Sequence, residues 1–153
     1  MGIIQLQKEE IKEALDLVWA VFQEFDAPDY SEQGIEEFQK FIFYHSNIEQ
    51  YKDGKVSFWG WEDDDQLAGV IATKGKNHIS MLFVKKEYHR QGIARRLFKA
   101  VEEACKSMDG ISEITVHSSP FAVAVYNRLG FIETDNEQLV NGIRFTPMSY
   151  MIK

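Results

Sequence analysis

Cysteine is almost missing from this chain. Cys105 stands alone among 153 residues, so no internal disulfide can form and no multi-cysteine zinc site can be built. Proline is scarce, with only Pro28, Pro120 and Pro147, and no proline- or serine-rich linker, low-complexity tract or internal repeat divides the sequence. No run approaches the roughly 18 apolar residues that span a bilayer. The opening segment MGIIQLQKEEIKEAL has no basic stretch followed by an apolar one, so no leader or membrane anchor is expected and the expected compartment is the cytoplasm. Positive charge is the minority sign. The 17 basic residues against 24 acidic ones give a net charge of −7, which argues against nucleic-acid binding through a general positive surface. The phosphate loop G-x-x-x-x-G-K-[ST] and the dinucleotide turn G-x-G-x-x-G are absent too, which removes the two commonest nucleotide-binding chemistries.

What is present suits one globular domain, since 153 residues can bury about two thirds of the unfolded surface. After a short apolar start at Ile3 to Leu6, the residues Ile11, Leu15, Val18, Trp19 and Phe22 recur at helical spacing and predict a helix with one buried stripe. FDAPDYS interrupts it, and Ser31 followed by Ile35, Phe38 and Ile42 predicts a capped second helix. KVSFWGWE, QLAGVIATK and HISMLFVKK, separated by DDD and KGKN, predict an antiparallel meander. A helix from near Gly92 places Ile93, Leu97, Val101 and Ala104 on one face and ends at MDG. ISEITVHS predicts a strand, PFAVAVYNRLGF a short helix from Pro120 to Gly130, and GIRFTPMSYMIK the last strand, with one more at or just after Phe131. The order βααβββαβαββ predicts an α/β (α+β) fold with a single mixed, mainly antiparallel central sheet flanked by helices.

One segment runs against the acidic background. Lys85, Lys86, Arg90, Arg95, Arg96 and Lys99 are crowded together, opposed only by Glu87. A strand end, a turn and a helix opening on HRQGIARR place unpaired backbone N–H groups at a helix N-terminus, which suits an anion. Gly92 and the small Ala94 let the backbone approach it closely, and arginines can grip phosphate oxygens two at a time. The expected anion is a pyrophosphate.

LFVKKEYHRQGIARRL resembles the acyl-coenzyme A binding motif of the Gcn5-related N-acetyltransferase (GNAT) family, a Leu-x-Val strand end followed by Arg/Gln-x-x-Gly-x-Gly/Ala. His89 stands here at the first motif position, with Arg90 beside it. SSPFAVAVYNRLGF resembles the family's Asn-x-x-A-x-x-x-Y-x-x-x-G-F helix, with Ser119 in place of Asn and with Ala122, Tyr126, Gly130 and Phe131 in register. The resemblance covers roughly residues 56 to 131. It implies one GNAT-type acetyltransferase domain over residues 1–153, with acetyl-coenzyme A as cosubstrate, no metal, and a primary amine of a small molecule or peptide as acceptor. It also implies coenzyme contacts from Leu82, Phe83 and Val84, whose strand edge pairs with the pantetheine arm, from His89, Arg90, Gln91, Gly92, Ile93, Ala94 and Arg95 at the turn, and from Ser119 and Phe121.

In the implied chemistry the amine attacks the thioester directly, and Tyr126 matches the family's proton donor to the leaving sulfur. The alternative for Tyr126 is a phenol packed in an amphipathic helix, and Val123 and Val125 read as core. Two histidines compete as base. His78 alternates onto the face of Ser80, Leu82 and Val84 but reads more readily as an exposed turn histidine after KGKN, and His117 ends the strand before the Tyr126 helix and could equally be a satisfied strand-end histidine. Glu24, Asp26 and Asp29 could attract a cationic amine but read more readily as a solvated loop. Trp59, Trp61, Phe22, Phe25 and Tyr30 read as core, and Cys105 as an inert thiol. A coenzyme-binding regulatory module without transfer is the alternative function. The last strand and the aromatics of the first half would permit a homodimer.

Overall fold

The computed structural model describes residues 2–153. The expected meander forms from β2 (Val56–Asp63), β3 (Gln66–Lys74) and β4 (His78–Val84). Asp64 and Asp65, both at positive φ, make the two-residue turn between β2 and β3, a geometry whose twist matches that of its strands. β1 (Gly2–Gln5) adds to the β2 edge. On the other side β5 (Glu113–Ser118) joins β4, and β8 (Ile143–Met151) pairs antiparallel along the length of β5. The short β6 (Ile132–Glu133) and β7 (Gln138–Val140) both pair with β8.

Helices cover both faces. α1 (Ile11–Phe25) buries Ile11, Ala14, Leu15, Val18 and Phe22 against β3 and β4. Ser31 caps α2 (Glu32–Phe41) by accepting a hydrogen bond from Gly34 N at 3.2 Å. A third helix, α3 (Tyr44–Lys52), was not expected. It buries only Asn47 and Ile48, so no apolar stripe marks it, and the Asn47 amide fixes the α2–α3 corner by donating to the Phe41 and Phe43 carbonyls at 2.9 Å. On the opposite face α4 (Ile93–Lys106) buries Ile93, Leu97, Phe98, Val101 and Cys105, while Ala104 is half-buried beside them. α5 (Val123–Leu129) begins after Pro120 rather than at it, because a turn in which Ala122 N donates to Ser119 O comes first. Gly130, at φ +109, ends it, and Phe131 is then buried edge-on against Phe98 and Tyr126, pinning α5 to α4. No helix among the described residues is long and apolar enough to cross a membrane.

Two irregularities of β4 shape the sheet around the gap. β4 and β5 run parallel but pair only at His78↔Thr115 and Ile79↔Val116, beyond which they part. β4 also bulges: Ile79 and Met81 face the adjacent residues Thr73 and Ala72, which leaves Ser80 unmatched. The bulge reverses the phase of the strand. Ile79, Leu82 and Val84 pack toward α4, Met81 and Phe83 toward α1, and His78 therefore does not share a face with Leu82 and Val84.

Candidate active site between two parting strands

The gap between β4 and β5 opens into a cavity of about 610 Å³, a size suited to a small-molecule ligand. One wall is the turn into α4. Gly92 takes φ +78 and Arg90 φ +63, and an added Cβ on Gly92 would meet no protein atom within 4 Å. The first amide of α4 with a backbone acceptor is that of Arg96, to Gly92 O at 3.1 Å. Among the described residues the amides of Gly92, Ile93, Ala94 and Arg95 have none, so four donors converge at a helix N-terminus on the cavity wall. Arg90 and Arg128 also line it, and Arg95 spans from α4 to donate from Nη2 to the last turn of α5, at Arg128 O, 2.9 Å away. Such a cradle suits an anion.

The rest of the basic cluster faces elsewhere. Arg96 stacks over Trp61 at 5.0 Å, and neither Lys85, Lys86 nor Lys99 lines the cavity. Gln91 is outside the wall too, its amide turned to donate to Glu87 O at 3.2 Å. His89 lines the cavity, but its ring ties the turn to β4: Nε2 donates to Val84 O at 2.7 Å, and the ring packs on Phe25. At the strand edge, Lys85 N donates to Ala68 O, so ladder alternation aims the backbone groups of Phe83 at β3 and those of Leu82 and Val84 at the gap. Phe83 thus contributes its side chain rather than a free edge. With Val84 O taken by His89, the Leu82 amide and carbonyl and the Val84 amide remain for an extended ligand.

Tyr126 projects from α5 into the same cavity, buried at 4% exposure. Its hydroxyl has no partner among the described residues, and burial followed by the charge of Asp26 raises its pKa, which keeps the phenol protonated. Val123 and Val125 are only half-buried, and Val125 lines the cavity. Ser119 and Phe121 line it as well. The Ser119 hydroxyl accepts from Ala122 N at 3.3 Å, and Phe121 tilts against Phe25 at 5.1 Å.

The acidic loop is not uniformly solvated. Glu24 and Asp29 are exposed, whereas Asp26 at the end of α1 is 7% exposed and lines the cavity. Burial, then the Asp29 charge, raises its pKa from 3.8 to about 7, with the Ser119 hydroxyl pulling the other way. The two histidines are less favourably placed. His78 lies at the closed end of the gap, outside the cavity wall, with Nδ1 2.8 Å from Thr115 Oγ1, and burial, with His117 and Lys74 nearby, pushes it down to about 4. His117 lines the cavity, stacked on Phe145 at 4.6 Å, and burial lowers its pKa. Phe25, Tyr30 and Phe38 also line the cavity, so the first two belong to its wall and not only to the core. Trp59 and Trp61 pack in the α4-side core, and burial raises the Cys105 thiol pKa, which leaves it unreactive. Asp26 was visible only as one acid among three. Its position between the apolar Phe25 and Ala27 was the available sign.

A family model described as an acetyltransferase (GNAT) domain matches residues 26–152. The fold is similar to that of a GCN5-related N-acetyltransferase from Rhodopseudomonas palustris, 21% identical with a TM-score of 0.83 over 98% of this chain and 94% of that one. It is similar to PaiA N-acetyltransferase from Thermoplasma acidophilum, solved with coenzyme A, at 22% identity and a TM-score of 0.76 over 99% of both chains. An aminoglycoside 6′-N-acetyltransferase, also solved with coenzyme A, is similar at 14% identity and a TM-score of 0.71 over 100% of this chain and 98% of that one. None of the curated proteins compared with the chain matches it. With the family model spanning most of its length, the chain belongs to the GNAT acetyltransferase family.

Proposed function

We propose that residues 1–153 form one catalytic domain that moves an acetyl group from acetyl-coenzyme A to a primary amine, with Tyr126 as the general acid. One observation carries this above the rest: a single cavity joins the free amides at Gly92 to the Tyr126 hydroxyl across the gap between β4 and β5. The Gly92 to Arg95 amides, with Arg90, hold the pyrophosphate. The open edge at Leu82 and Val84 hydrogen-bonds the pantetheine amides. Bound this way, acetyl-coenzyme A supplies an activated acyl carbon at the level of Tyr126. The amine nitrogen attacks that carbon, the carbon–sulfur bond breaks, and Tyr126 gives its phenolic proton to the departing sulfur. No enzyme nucleophile is needed.

Isothermal titration of coenzyme A, followed by thiol-release assays with acetyl-coenzyme A and primary amines, tests the proposal. Binding with thiol release matched to N-acetylated amine is the expected result. Binding without release from any amine would leave a coenzyme-binding module and overturn it.

A further inference from the structure

We propose that the Asp26 carboxylate accepts the proton of the attacking amine and that the acceptor is a small primary amine with an apolar body. This deepens the acetyl-transfer proposal and rests on it. Asp26 is nearly buried on the cavity wall, and among the described residues no cation pairs with it. The fold tolerates a carboxylate in a place where isolated charge is costly, next to a second acid, Asp29. An incoming ammonium would supply the missing positive charge. The groups facing Asp26 are Asp29 and Tyr30 from its own connection, Ser119 at the end of β5 and Tyr126 on α5; Arg144 of β8, paired with Glu137, acts on Tyr30 one step further out. Neither phenol is a base at neutral pH. Both phenols titrate above their ordinary value and His117 below its own.

The chemistry closes. The ammonium gives one proton to Asp26, which passes it to solvent. The neutral nitrogen forms its bond to the acyl carbon, the carbon–sulfur bond breaks, and Tyr126 protonates sulfur. The proton remaining in excess on nitrogen moves to Asp26 and then restores the Tyr126 hydroxyl. Products are the amide and free coenzyme A.

The cavity's lining limits the acceptor. Val21, Phe38 and Phe83 line the same cavity, with Phe38 edge-on to Phe83, so the body that follows the nitrogen meets apolar wall. The flank is tied shut. Arg144 Nη1 donates to Asp29 O at 3.1 Å, the Tyr30 hydroxyl donates to Arg144 O at 3.3 Å, and Gly34 of α2 packs backbone to backbone against Gly142 beside β8. A polypeptide would have to displace this strap to lie across the site.

The test measures thiol release with phenethylamine, n-hexylamine and a lysine-containing decapeptide across the neutral pH range, for the intact protein and Asp26→Asn. Coenzyme A binding is measured by calorimetry, and the Asp26 carboxyl is followed by carbon NMR. Asp26→Asn is expected to lower kcat/KM for phenethylamine by about 10²-fold or more. Its extra fall in rate below about pH 7 should disappear, while the slope from the amine's own titration persists. Coenzyme affinity should stay within about twofold, and the decapeptide should react about 10²-fold more slowly than phenethylamine. Wild-type rates in Asp26→Asn, or a carboxyl titrating at its ordinary value near 3.8, would overturn the role of Asp26 while leaving acetyl transfer standing. A decapeptide reacting as fast as phenethylamine would overturn the acceptor class. Absence of transfer to any amine would overturn both proposals.

Discussion

Replacing Asp26 with asparagine should make the protein more stable, and more so at high pH. The folded carboxyl holds its proton up to about pH 7 against an ordinary value of 3.8. Between those values the folded state binds more protons than the unfolded one, so stability falls as pH rises, and the full penalty is present above pH 7. A gap of about three pH units at ~1.4 kcal/mol each sets that penalty at ~4 kcal/mol, an upper figure because the site can relax. Asparagine keeps the shape and an acceptor for Ser119 but carries no charge. The stability gap between variant and parent should therefore widen by ~2–3 kcal/mol from pH 5 to pH 8. With an unfolding entropy of about 2.1 cal/mol/K per residue, half of the full penalty would raise Tm by about 6 °C at pH 8. Urea denaturation of both proteins at the two pH values is the assay. An equal gap at pH 5 and pH 8 would refute the buried, unpaired carboxylate.

Gly92→Val should abolish coenzyme A binding in calorimetry, because a side chain there meets no protein atom and takes up open space beside the free amides; the left-handed φ adds a folding cost of only ~1–2 kcal/mol. Wild-type affinity would contradict the anion site. His89→Ala removes the 2.7 Å bond to Val84 O and should cost ~1 kcal/mol in stability while loosening coenzyme A several-fold. Unchanged melting and affinity would show that the ring does not anchor the turn. Gly34→Ala would drive a methyl into the Gly142 carbonyl, and a loss of ~2 kcal/mol or more in chemical denaturation is expected; a neutral result would mean that the α2–β8 crossing is loose.

The parts legible in the sequence are those whose signal is local. Strand-type runs bounded by turn segments marked β2, β3 and β4, Ser31 announced a cap, and Gly92 and Tyr126 stood at spacings that resemble a family motif. The rest depends on pairings between distant residues. HISMLFV reads as one regular strand, and only the mismatch with Ala72 and Thr73 reveals the bulge at Ser80 that turns His78 away. α3 is mostly polar and shows no stripe because it touches the core through Asn47 and Ile48 alone. β7 is three residues long and exists because β8 offers it an edge. Asp26 looked like loop because its burial comes from α1 ending beside Ser119 and Tyr126, which lie far along the chain.

Tyr126→Phe tests the central claim most directly, since it removes one oxygen from the cavity and leaves the ring packed on Phe131. Thiol release with acetyl-coenzyme A and phenethylamine, beside calorimetric titration of coenzyme A, separates chemistry from binding. The predicted result is unchanged coenzyme affinity with kcat lowered by about 10²-fold or more. Full turnover by the phenylalanine variant, with chemistry shown to limit the rate, would contradict the account.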